Sequence, residues 1–296
     1  MKKILVTGDG QFTTNWIKNT TELYKNSVVS RSERKRFSEN YYSQDLSNYL
    51  QTKELITFLK PDVILNGAGL IDIEKCEKYP EIAIRSNVEI PKNLSQIAAH
   101  LGVPLIHIST DHFESKKGVA RDEQVIPQPV NHYGITKIQG ENEIIKSSSN
   151  FIILRTNFYG VSGNNKSSFF SKLLKDILNE KPYLGASDYY FNPVSIKFLI
   201  NCIIEFIHLG STGTYNITSD NCISKYEFAK LVCKSLYLDE NLIKKVELKY
   251  FHELTKRPQK LCLDNKKLKN LFKIQEVSVF KQVKSLIKEL ELSKKP

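Results

Sequence analysis

Residues 3–13, KILVTGDGQFT, join a run of aliphatic and β-branched side chains to a turn that contains two glycines. The run Lys3–Thr7 predicts a buried strand, and the pattern that begins at Phe12 predicts a helix. In such a turn, glycines let backbone N–H groups and the helix N-terminus hold phosphate groups. An ordinary strand-to-helix turn also needs glycine for a positive φ. The loop alone therefore leaves nucleotide binding open.

The alternation of strand and helix continues as far as Arg155. Further strands are predicted at Val28–Arg31, Asp62–Asn66, Leu105–Ser109 and Phe151–Arg155, and helices at Phe12–Tyr24, Tyr49–Leu59, Pro91–Leu101 and Tyr133–Lys146. Strands that alternate with helices of this length indicate βαβ units. We therefore expect an α/β fold with a Rossmann-like, doubly wound parallel sheet.

The second half of the chain is less regular. It predicts helices at Phe169–Asn179 and Ile196–His208 and a short strand at Thr214–Thr218. At 296 residues, the length suits two lobes. We predict a nucleotide-binding domain of residues 1–158, with 190–218 completing its sheet. A smaller C-terminal substrate lobe is predicted for residues 159–189 and 219–296.

The positive charge is concentrated near the C-terminus. The chain carries a formal net charge of +11, and residues 241–296 hold 15 Lys and Arg against 6 Asp and Glu. Such a surface could bind nucleic acid or a membrane, or attract a small anion. However, apolar residues recur at helical spacing between the lysines, at Val279, Val283, Leu286, Ile287 and Leu290. This pattern favours solvated helix faces, with neither nucleic acid nor membrane as partner.

Cysteine usage and hydropathy indicate a cytoplasmic protein. The five cysteines are scattered and include no C-x-x-C pair, so we expect neither a disulfide framework nor a zinc knuckle. The apolar run after Met1 is too short for a signal peptide. The apolar stretch Val194–Leu209 is interrupted by polar residues, so no membrane span is expected. The histidines show no metal-ligand spacing, and we expect no metal.

Polar residues at the end of the second predicted strand suit a dinucleotide. Arg31, Ser32 and Arg34 suit a 2′-phosphate, which favours NADPH, with NADH as a second possibility. The alternative is a solvated turn. Asp45 could hydrogen-bond an adenine or a ribose.

The spacing Tyr-x-x-x-Lys occurs three times, at Tyr49/Lys53, Tyr133/Lys137 and Tyr226/Lys230. A tyrosine and a lysine four residues apart lie on one helix face, where the ammonium can lower the tyrosine pKa. Three pairs are close to the number expected by chance, so position has to separate them. Tyr133/Lys137 alone follows a strand whose end carries hydroxyls, Ser109 and Thr110. Together these groups could protonate and stabilise a carbonyl that gains a hydride.

The segment at 131–141, NHYGITKIQGE, resembles the Y-G-x-T-K-x-x-G-E helix of the extended short-chain dehydrogenase/reductases. Other segments agree with that family in order and spacing, namely Ile4–Gly8, Asp45–Ser47, Pro61–Asn66, Asn87, Pro91, Asn93–Leu94, Ile106–Asp111, Leu154–Thr156, Asp188, Pro193–Val194, Thr214–Asn216, Arg257–Pro258 and Leu263–Asp264. Within the family, the chain is most similar to the sugar-nucleotide reductases. The resemblance implies NADPH-dependent reduction of the 4-keto group of a nucleotide-activated deoxysugar, in the synthesis of polysaccharide sugars.

The resemblance also implies the catalytic roles. Tyr133 would protonate the sugar oxygen, while Lys137 would bind the nicotinamide ribose and lower the Tyr133 pKa. Thr110, with Ser109, would hydrogen-bond the carbonyl.

The remaining implied roles concern binding. The cofactor residues would be Gly8, Gly10, Gln11, Phe12, Arg31, Asp45, Leu46, Gly67, Ala68, Gly69, Tyr133 and Lys137. The substrate would meet Ser109, His112, Phe158 and Arg257, with the guanidinium of Arg257 on its diphosphate. A homodimer is possible.

The chain departs from the family pattern in its glycine run, in the loop after Asp111, and at Asn157–Phe158, where the reductases have a tryptophan. Its glycine run is one residue short and has Thr13 in place of the last glycine, and His112–Glu114 replaces a longer loop that carries a tyrosine. His112 could bind the substrate or be a plain loop residue. The alternatives are a non-catalytic NADP-binding regulatory protein of the same fold, and a sugar-nucleotide epimerase or dehydratase. The Thr110, Tyr133 and Lys137 set favours the reductase.

Overall fold

A computed structural model describes residues 1–32, 40–114, 121–161 and 168–292. These residues form a seven-stranded sheet in the order β11-β6-β5-β4-β1-β2-β3. Its strands are β1 (Lys3–Thr7), β2 (Lys25–Ser30), β3 (Tyr41–Ser43), β4 (Val63–Asn66), β5 (Leu105–Ile108), β6 (Phe151–Thr156) and β11 (Gly213–Ile217). The pairs from β3 to β6 are parallel. The predicted Rossmann-like α/β fold is confirmed.

The strand order places a crevice next to β1. The chain runs outward from β1 to β2 and β3, and then crosses back so that β4 pairs with the other edge of β1, with Thr7 opposite Asn66. In open α/β sheets, ligands bind beyond the carboxyl ends of the strands at this reversal. All four residues of β4 are buried, as expected for a strand covered on both faces. The residues after Thr7 and Asn66 therefore border this crevice.

Helices follow most of the predicted positions. They are α1 (Gln11–Thr20), α2 (Tyr49–Leu59), α3 (Ile73–Lys78), α4 (Pro80–Ile84), α5 (Ile90–Leu101), α6 (His132–Ser147), α7 (Phe169–Leu178), α8 (Ile196–Leu209), α9 (Lys225–Ser235), α10 (Lys266–Phe272) and α11 (Val279–Leu292). The prediction for α1 was too long, because the backbone turns after Thr20 and brings the Tyr24 ring onto Trp16, with ring centroids 5.9 Å apart. A π-helix at Arg85–Glu89, which leads into α5, was not predicted.

The chain divides into two compact units. Unit 1 comprises Met1–Thr110, Pro129–Arg155 and Ile200–Tyr215, and unit 2 comprises Asp111–Gln128, Thr156–Leu199 and Asn216–Pro296. The predicted boundaries differ, since they left residues 111–128 in the nucleotide-binding domain. In the structure this segment belongs to unit 2, where Glu123 accepts from the Asn216 backbone N–H at 2.9 Å.

Unit 2 has its own apolar core and three small strand pairs. The pairs join β7 (Phe158–Tyr159) to β10 (Val194–Ser195), β8 (Tyr183–Ala186) to β13 (Ile243–Val246), and β9 (Tyr190–Phe191) to β12 (Ile223–Ser224). Short 3₁₀-helices occupy Glu240–Leu242 and Leu248–Phe251. Helix α11 buries Val279, Val283 and Ile287 in this core and leaves its lysines exposed, as the amphipathic pattern predicted. Within the described ranges, no helix combines the length and apolar character needed to cross a bilayer.

The expectation that disulfides are absent was wrong. Cys222 and Cys262 form a disulfide, with Cα atoms 5.7 Å apart across 40 positions of sequence. The two segments are neighbours because Leu263 accepts from the Thr218 hydroxyl at 3.3 Å and Asn265 donates to the Thr218 carbonyl at 2.8 Å. Spacing along the chain does not reveal such spatial proximity. Cys76, Cys202 and Cys233 are free and buried.

Candidate active site

The turn after β1 is shaped by close contact with the loop after β4. Gly8 has φ +87°, and a Cβ at this position would lie 3.1 Å from the backbone of Ala68. The Gly8 N–H donates to the Val29 carbonyl at 2.9 Å. Both the left-handed backbone and the close approach require glycine here. Gly8 and Ala68, which were predicted separately, thus lie against each other.

Gly10 and the start of α1 form the part of the turn that faces open space. Gly10 is the N-cap with φ −80°, and among the described atoms none lies within 4 Å of the place where its Cβ would be. The first turn of α1 carries no acidic residue. The N-terminus of a ten-residue helix favours an anion through its backbone N–H groups and its dipole. Gly10 and Gln11 therefore suit a phosphate. The nearby carboxylate of Asp9 belongs to the turn before the helix and not to its first turn.

Phe12 and Thr13 pack the helix onto the sheet. Both side chains are almost fully buried, and a Cβ on Gly67 would lie 2.9 Å from the Phe12 ring. Gly67 is needed because it leaves room for this ring. The Phe12 side chain is therefore mainly a packing group.

Asn87 holds the loop that follows β4. Its side-chain oxygen accepts from the Leu70 N–H at 2.8 Å, and its amide nitrogen donates to the Leu70 carbonyl at 3.0 Å. A Cβ on Gly69 would lie 2.9 Å from the same oxygen. Asn87 also donates to the Thr136 hydroxyl on α6 at 3.2 Å. Asn87, whose residue type matched the family pattern, joins the Gly67–Gly69 loop to the helix of Tyr133.

The candidate adenine and 2′-phosphate residues lie near the ends of β2 and β3. Asp45 accepts from Ser47 and pairs with Arg85 at 2.5 Å. Partial burial raises the pKa of Asp45, but the Ser47 hydrogen bonds and the Arg85 and Arg31 charges outweigh it, so the net pKa is lowered. Arg31 is exposed at the end of β2. Arg34 lies outside the described residues.

Leu46 is positioned through its backbone. Its side chain is buried, and its carbonyl accepts from the Asn93 amide at 3.1 Å. Asn93 also donates to the Ser47 carbonyl at 2.9 Å. The loop of Leu46 and Ser47, the predicted adenine contact, is therefore held by α5.

Ser109 and Thr110 follow β5 but have different surroundings. The Ser109 hydroxyl donates to Glu141, a buried carboxylate that also pairs with Arg155 at 2.7 Å. Ser109 thus has a partner inside unit 1, which favours a structural role over its predicted substrate contact. Thr110 is buried, with 4% of its surface exposed. Thr110 remains the better candidate for the carbonyl hydrogen bond.

Helix α6 carries the Tyr133/Lys137 pair. It begins after Asn131, whose side chain accepts from the Gly134 N–H at 3.0 Å. Tyr133 is partly exposed in the first turn, whereas Lys137 is 4% exposed. The Lys137 ammonium donates to the Ile108 carbonyl at 2.8 Å. Burial lowers the pKa of Lys137 to about 8, although the nearby Glu141 carboxylate acts to raise it.

Gly140 lets α6 approach the π-helix. A Cβ there would lie 2.1 Å from the Asn87 carbonyl oxygen. The glycine three residues after Lys137 is therefore required by packing.

Three of the predicted substrate residues lie in unit 2. His112 is 4% exposed, and burial together with the Arg257 and Lys225 charges lowers its pKa to about 3, so it is a neutral side chain. Arg257 lines a cavity of about 330 Å³ whose walls also include Leu248, Lys249, Phe251, His252 and Lys256. Phe158 is partly buried in β7.

Sequence reasoning missed a charged group in the same unit. Burial raises the pKa of Asp111 to about 6, and its Oδ2 is buried without a hydrogen-bond partner among the described residues. The Lys225 ammonium lies 3.5 Å and 3.8 Å from the ring centroids of Phe191 and Phe169. Burial lowers the pKa of Lys225 to about 7, while the Asp111 charge opposes this shift. Asp111 and Lys225 are 114 positions apart in the sequence, so no local sequence pattern predicts that their charges interact. In the described ranges, no cluster of three His, Cys, Asp or Glu side chains suits a metal.

Comparison with known proteins identifies the family to which the chain belongs. The family model described as the RmlD substrate binding domain matches residues 1–292. A dTDP-4-dehydrorhamnose reductase of Aggregatibacter actinomycetemcomitans is 29% identical over 245 residues, covering 78% of this chain and 82% of the relative. A probable low-salt glycan biosynthesis reductase of Haloferax volcanii is 25% identical over 79% of each chain.

A solved structure supports the fold. The crystal structure of dTDP-4-dehydrorhamnose reductase from Bacillus anthracis in complex with NADP has a TM-score of 0.87 at 23% identity, covering 97% of this chain and 99% of the other. The family resemblance expected from the motifs is confirmed, because the model match spans nearly the whole chain. The protein belongs to the family of the RmlD substrate binding domain, within the dehydrogenase/reductase fold that its Tyr133 and Lys137 helix indicated.

Proposed function

We propose that the protein is an NADPH-dependent reductase that converts the 4-keto group of a nucleotide-activated deoxysugar to an alcohol, in polysaccharide sugar synthesis. The observation that carries the proposal is the placement of Lys137. Its desolvated ammonium is fixed on the Ile108 carbonyl, four residues after Tyr133 on the same helix face. The names of the reductase relatives agree with this chemistry.

The residues of unit 1 fit a dinucleotide. The open space at Gly10 and the N-terminus of α1 would take the pyrophosphate, and Arg31 would take the 2′-phosphate of NADPH. The backbone of Leu46 and the Gly67–Gly69 loop would border the adenine and ribose. NADH remains a second possible cofactor. When bound, the nicotinamide supplies a hydride to the carbonyl carbon.

Tyr133 and its neighbours would manage the proton. Tyr133 gives its hydroxyl proton to the sugar oxygen, and Thr110 donates a hydrogen bond to the same oxygen. The Lys137 ammonium stabilises the tyrosinate that results and binds a ribose hydroxyl.

Groups in unit 2 would recognise the nucleotide-sugar. The cavity at Arg257 combines cationic side chains with the apolar surfaces of Leu248 and Phe251, which suits a diphosphate next to a base. His112, which is neutral, can exchange a hydrogen bond with a sugar hydroxyl, and Phe158 can pack on the ring.

Titration of the protein with NADPH, followed by fluorescence, tests the proposal first. We expect binding in the micromolar range, and then NADPH oxidation with some member of a panel of 4-keto nucleotide sugars. A lack of binding at high micromolar NADPH would remove the reductase assignment. Binding without turnover of any panel member would favour the alternative, a non-catalytic NADP-binding protein, which the shortened glycine run also favours.

Gly10→Ala isolates the cofactor loop from the fold. The backbone at Gly10 has φ −80°, which alanine adopts freely, and the added methyl group would point into open space. We expect an unchanged melting temperature and NADPH affinity weaker by about tenfold, because the methyl group meets the pyrophosphate. Unchanged affinity would mean that the phosphates do not approach Gly10.

We also propose a cytoplasmic location and a homodimer. Nicotinamide dinucleotides act in the cytoplasm, but the Cys222–Cys262 disulfide is the kind of bond that persists in oxidising compartments. Peptide mass mapping of the cytoplasmic fraction after alkylation at cell lysis tests both points, and we expect Cys222 and Cys262 to remain unmodified as a disulfide. Exposed apolar side chains such as Phe58 and Ile82 could serve an interface. Light scattering after gel filtration measures the mass in solution.

A further inference from the structure

A buried chain of hydrogen bonds leads through unit 1 to the Lys137 ammonium. The Thr7 hydroxyl on β1 contacts Asn66 Oδ1 on β4 at 2.6 Å, and Asn66 Nδ2 contacts His107 Nδ1 on β5 at 2.9 Å. His107 Nε2 then lies 3.4 Å from Lys137 Nζ on α6. Thr7, Asn66 and His107 are fully buried. Neither the cofactor contacts nor the proton transfer described above uses Asn66 or His107.

The orientation of the Asn66 amide follows from a backbone contact. The Ala68 N–H, which can only donate, lies 3.1 Å from Asn66 Oδ1. The amide atom at this position must therefore be the oxygen, so the NH₂ group faces His107. Asn66 Nδ2 donates, and His107 Nδ1 accepts.

This contact decides which nitrogen of His107 carries the proton. Burial, together with the Lys137 charge, lowers the pKa of His107 well below its ordinary value, so the ring is neutral. A neutral imidazole has one N–H group, and Nδ1 already accepts from Asn66. The proton is therefore on Nε2, and it points towards Lys137 Nζ.

An N–H group in that position discriminates between the two forms of the lysine. An ammonium group has only donors, so the His107 proton opposes it, whereas a neutral amine has a lone pair that can accept. The other groups that face Lys137 differ in which of its two forms they favour. The Ile108 carbonyl accepts from either form at 2.8 Å, and the Cys76 thiol on α3 is neutral because burial raises its pKa to about 11. Glu141 favours the ammonium, but its charge is shared with Arg155.

We propose that His107 is a positioning residue that acts through Lys137, because its Nε2 proton, oriented by Asn66 and Thr7, faces the lysine nitrogen and disfavours the ammonium form. This role rests on the proposed function only where it concerns catalysis. It would lower the pH at which Lys137 changes from ammonium to amine, and so set the alkaline limit of the activity.

The tautomer of His107 is the most direct test. In the wild-type protein labelled with ¹⁵N-histidine, the shifts of the two ring nitrogens identify the protonated one, and His107→Gln assigns the signals. We expect the proton on Nε2 with the ring neutral at pH 7. A proton on Nδ1 would overturn the proposal. The measurement needs neither cofactor nor activity, so it stands even where the reductase assignment fails.

Two variants test the effect on Lys137. In Asn66→Asp, a carboxylate oxygen faces Nδ1, draws the proton to that nitrogen and turns the Nε2 lone pair towards the ammonium. In His107→Gln, the amide oxygen can accept from the ammonium. With ¹³Cε-labelled lysine, we expect the Lys137 titration to move up by about one pH unit or more in both variants. Unchanged titration in folded variants contradicts the proposal.

His208→Gln is the matched control. His208 is exposed and contacts the Tyr24 hydroxyl at 3.5 Å, so this variant should leave the Lys137 titration unchanged. With an active enzyme, the alkaline limb of kcat/KM should move up with the lysine in His107→Gln. If His107 had only a structural role, His107→Gln would lower kcat but leave the alkaline limb of the pH profile of kcat/KM unchanged.

Discussion

Among the described residues, Lys137 in unit 1 and Lys225 in unit 2 each have a desolvated ammonium, and the two groups have different neighbours. Lys137 in unit 1 meets polar atoms, the Ile108 carbonyl at 2.8 Å and the His107 ring nitrogen at 3.4 Å. Lys225 in unit 2 meets the ring faces of Phe169 and Phe191 and the charge of Asp111. Hydrogen bonds fix direction, whereas ring faces and charges attract with less directional preference.

The difference indicates separate tasks. An ammonium that is fixed on the Ile108 carbonyl beside Tyr133 has a defined position, as a group that stabilises a reacting tyrosinate must have. Lys225 lies at the start of α9 and balances the charge of a buried carboxylate. We therefore expect changes at the unit 1 residues to affect the rate, and changes at Lys225 and Asp111 to affect mainly the folding of unit 2.

The largest expected effect is the loss of kcat when Tyr133, beside Lys137, is replaced. Tyr133→Phe should reduce kcat by about 10²–10⁴-fold, because the proton donor is lost, with NADPH affinity within a few-fold. Tyr226→Phe is the matched control, since Tyr226 has the same spacing to Lys230 on α9 of unit 2. NADPH oxidation measures both variants. Unchanged turnover in Tyr133→Phe would refute its role as the acid.

Exchanging each lysine for methionine compares the two units directly. Lys137→Met should lower kcat/KM by about 10²-fold or more, because no cation then stabilises the tyrosinate. Lys225→Met should cost about 1–3 kcal/mol in the free energy of unfolding, because it removes the charge that compensates Asp111. Both variants are measured by NADPH oxidation kinetics and by urea unfolding. Equal kinetic losses in folded variants would contradict the separation of tasks.

Neutralising the buried carboxylates is expected to have a smaller and unequal effect on stability. Glu141→Gln should cost about 3 kcal/mol, because Arg155 is then a buried charge without its counter-ion. Asp111→Asn should cost less than about 1 kcal/mol, since burial already raises the pKa of Asp111 to about 6. The fluorescence of the single, buried Trp16 reports the unfolding of unit 1, and circular dichroism follows both units. A greater loss of unfolding free energy in Asp111→Asn than in Glu141→Gln would contradict this expected order.

The smallest expected effect is a dependence of the melting temperature on alkaline pH. The pKa values of Lys137 and Lys225 are lowered to about 8 and about 7, whereas lysines in the unfolded chain keep a higher pKa. Above these values the unfolded state binds more protons, so stability should rise with pH until the unfolded lysines lose theirs. Melting curves between pH 7 and 10 should show a weaker rise in Lys137→Met and in Lys225→Met. A rise equal to that of the wild type would contradict the lowered pKa values.

Much of the fold and part of the site could be read from local patterns. Helix α2 was predicted with its exact bounds, because its ends are encoded by neighbouring residues such as the N-cap Asn48. The pairing of Tyr133 with Lys137 follows from helical spacing in the same way. The π-helix at Arg85–Glu89 was missed because it depends on the approach of α6, which Gly140 permits.

The sequence by itself determined the alternation of strands and helices, the glycine turn after β1 and the Tyr133/Lys137 spacing, since these depend on periodicity and on contacts within a few residues. Only the tertiary structure decided the desolvation of Lys137, the Nε2 proton of His107, the charge balance of Asp111 with Lys225 and the Cys222–Cys262 bond. Each of these depends on atoms that lie tens of residues apart in the chain and become neighbours only when the strands and helices pack. Burial and the partners of a titratable group set its pKa, so the chemistry of both lysines depends on the folded structure.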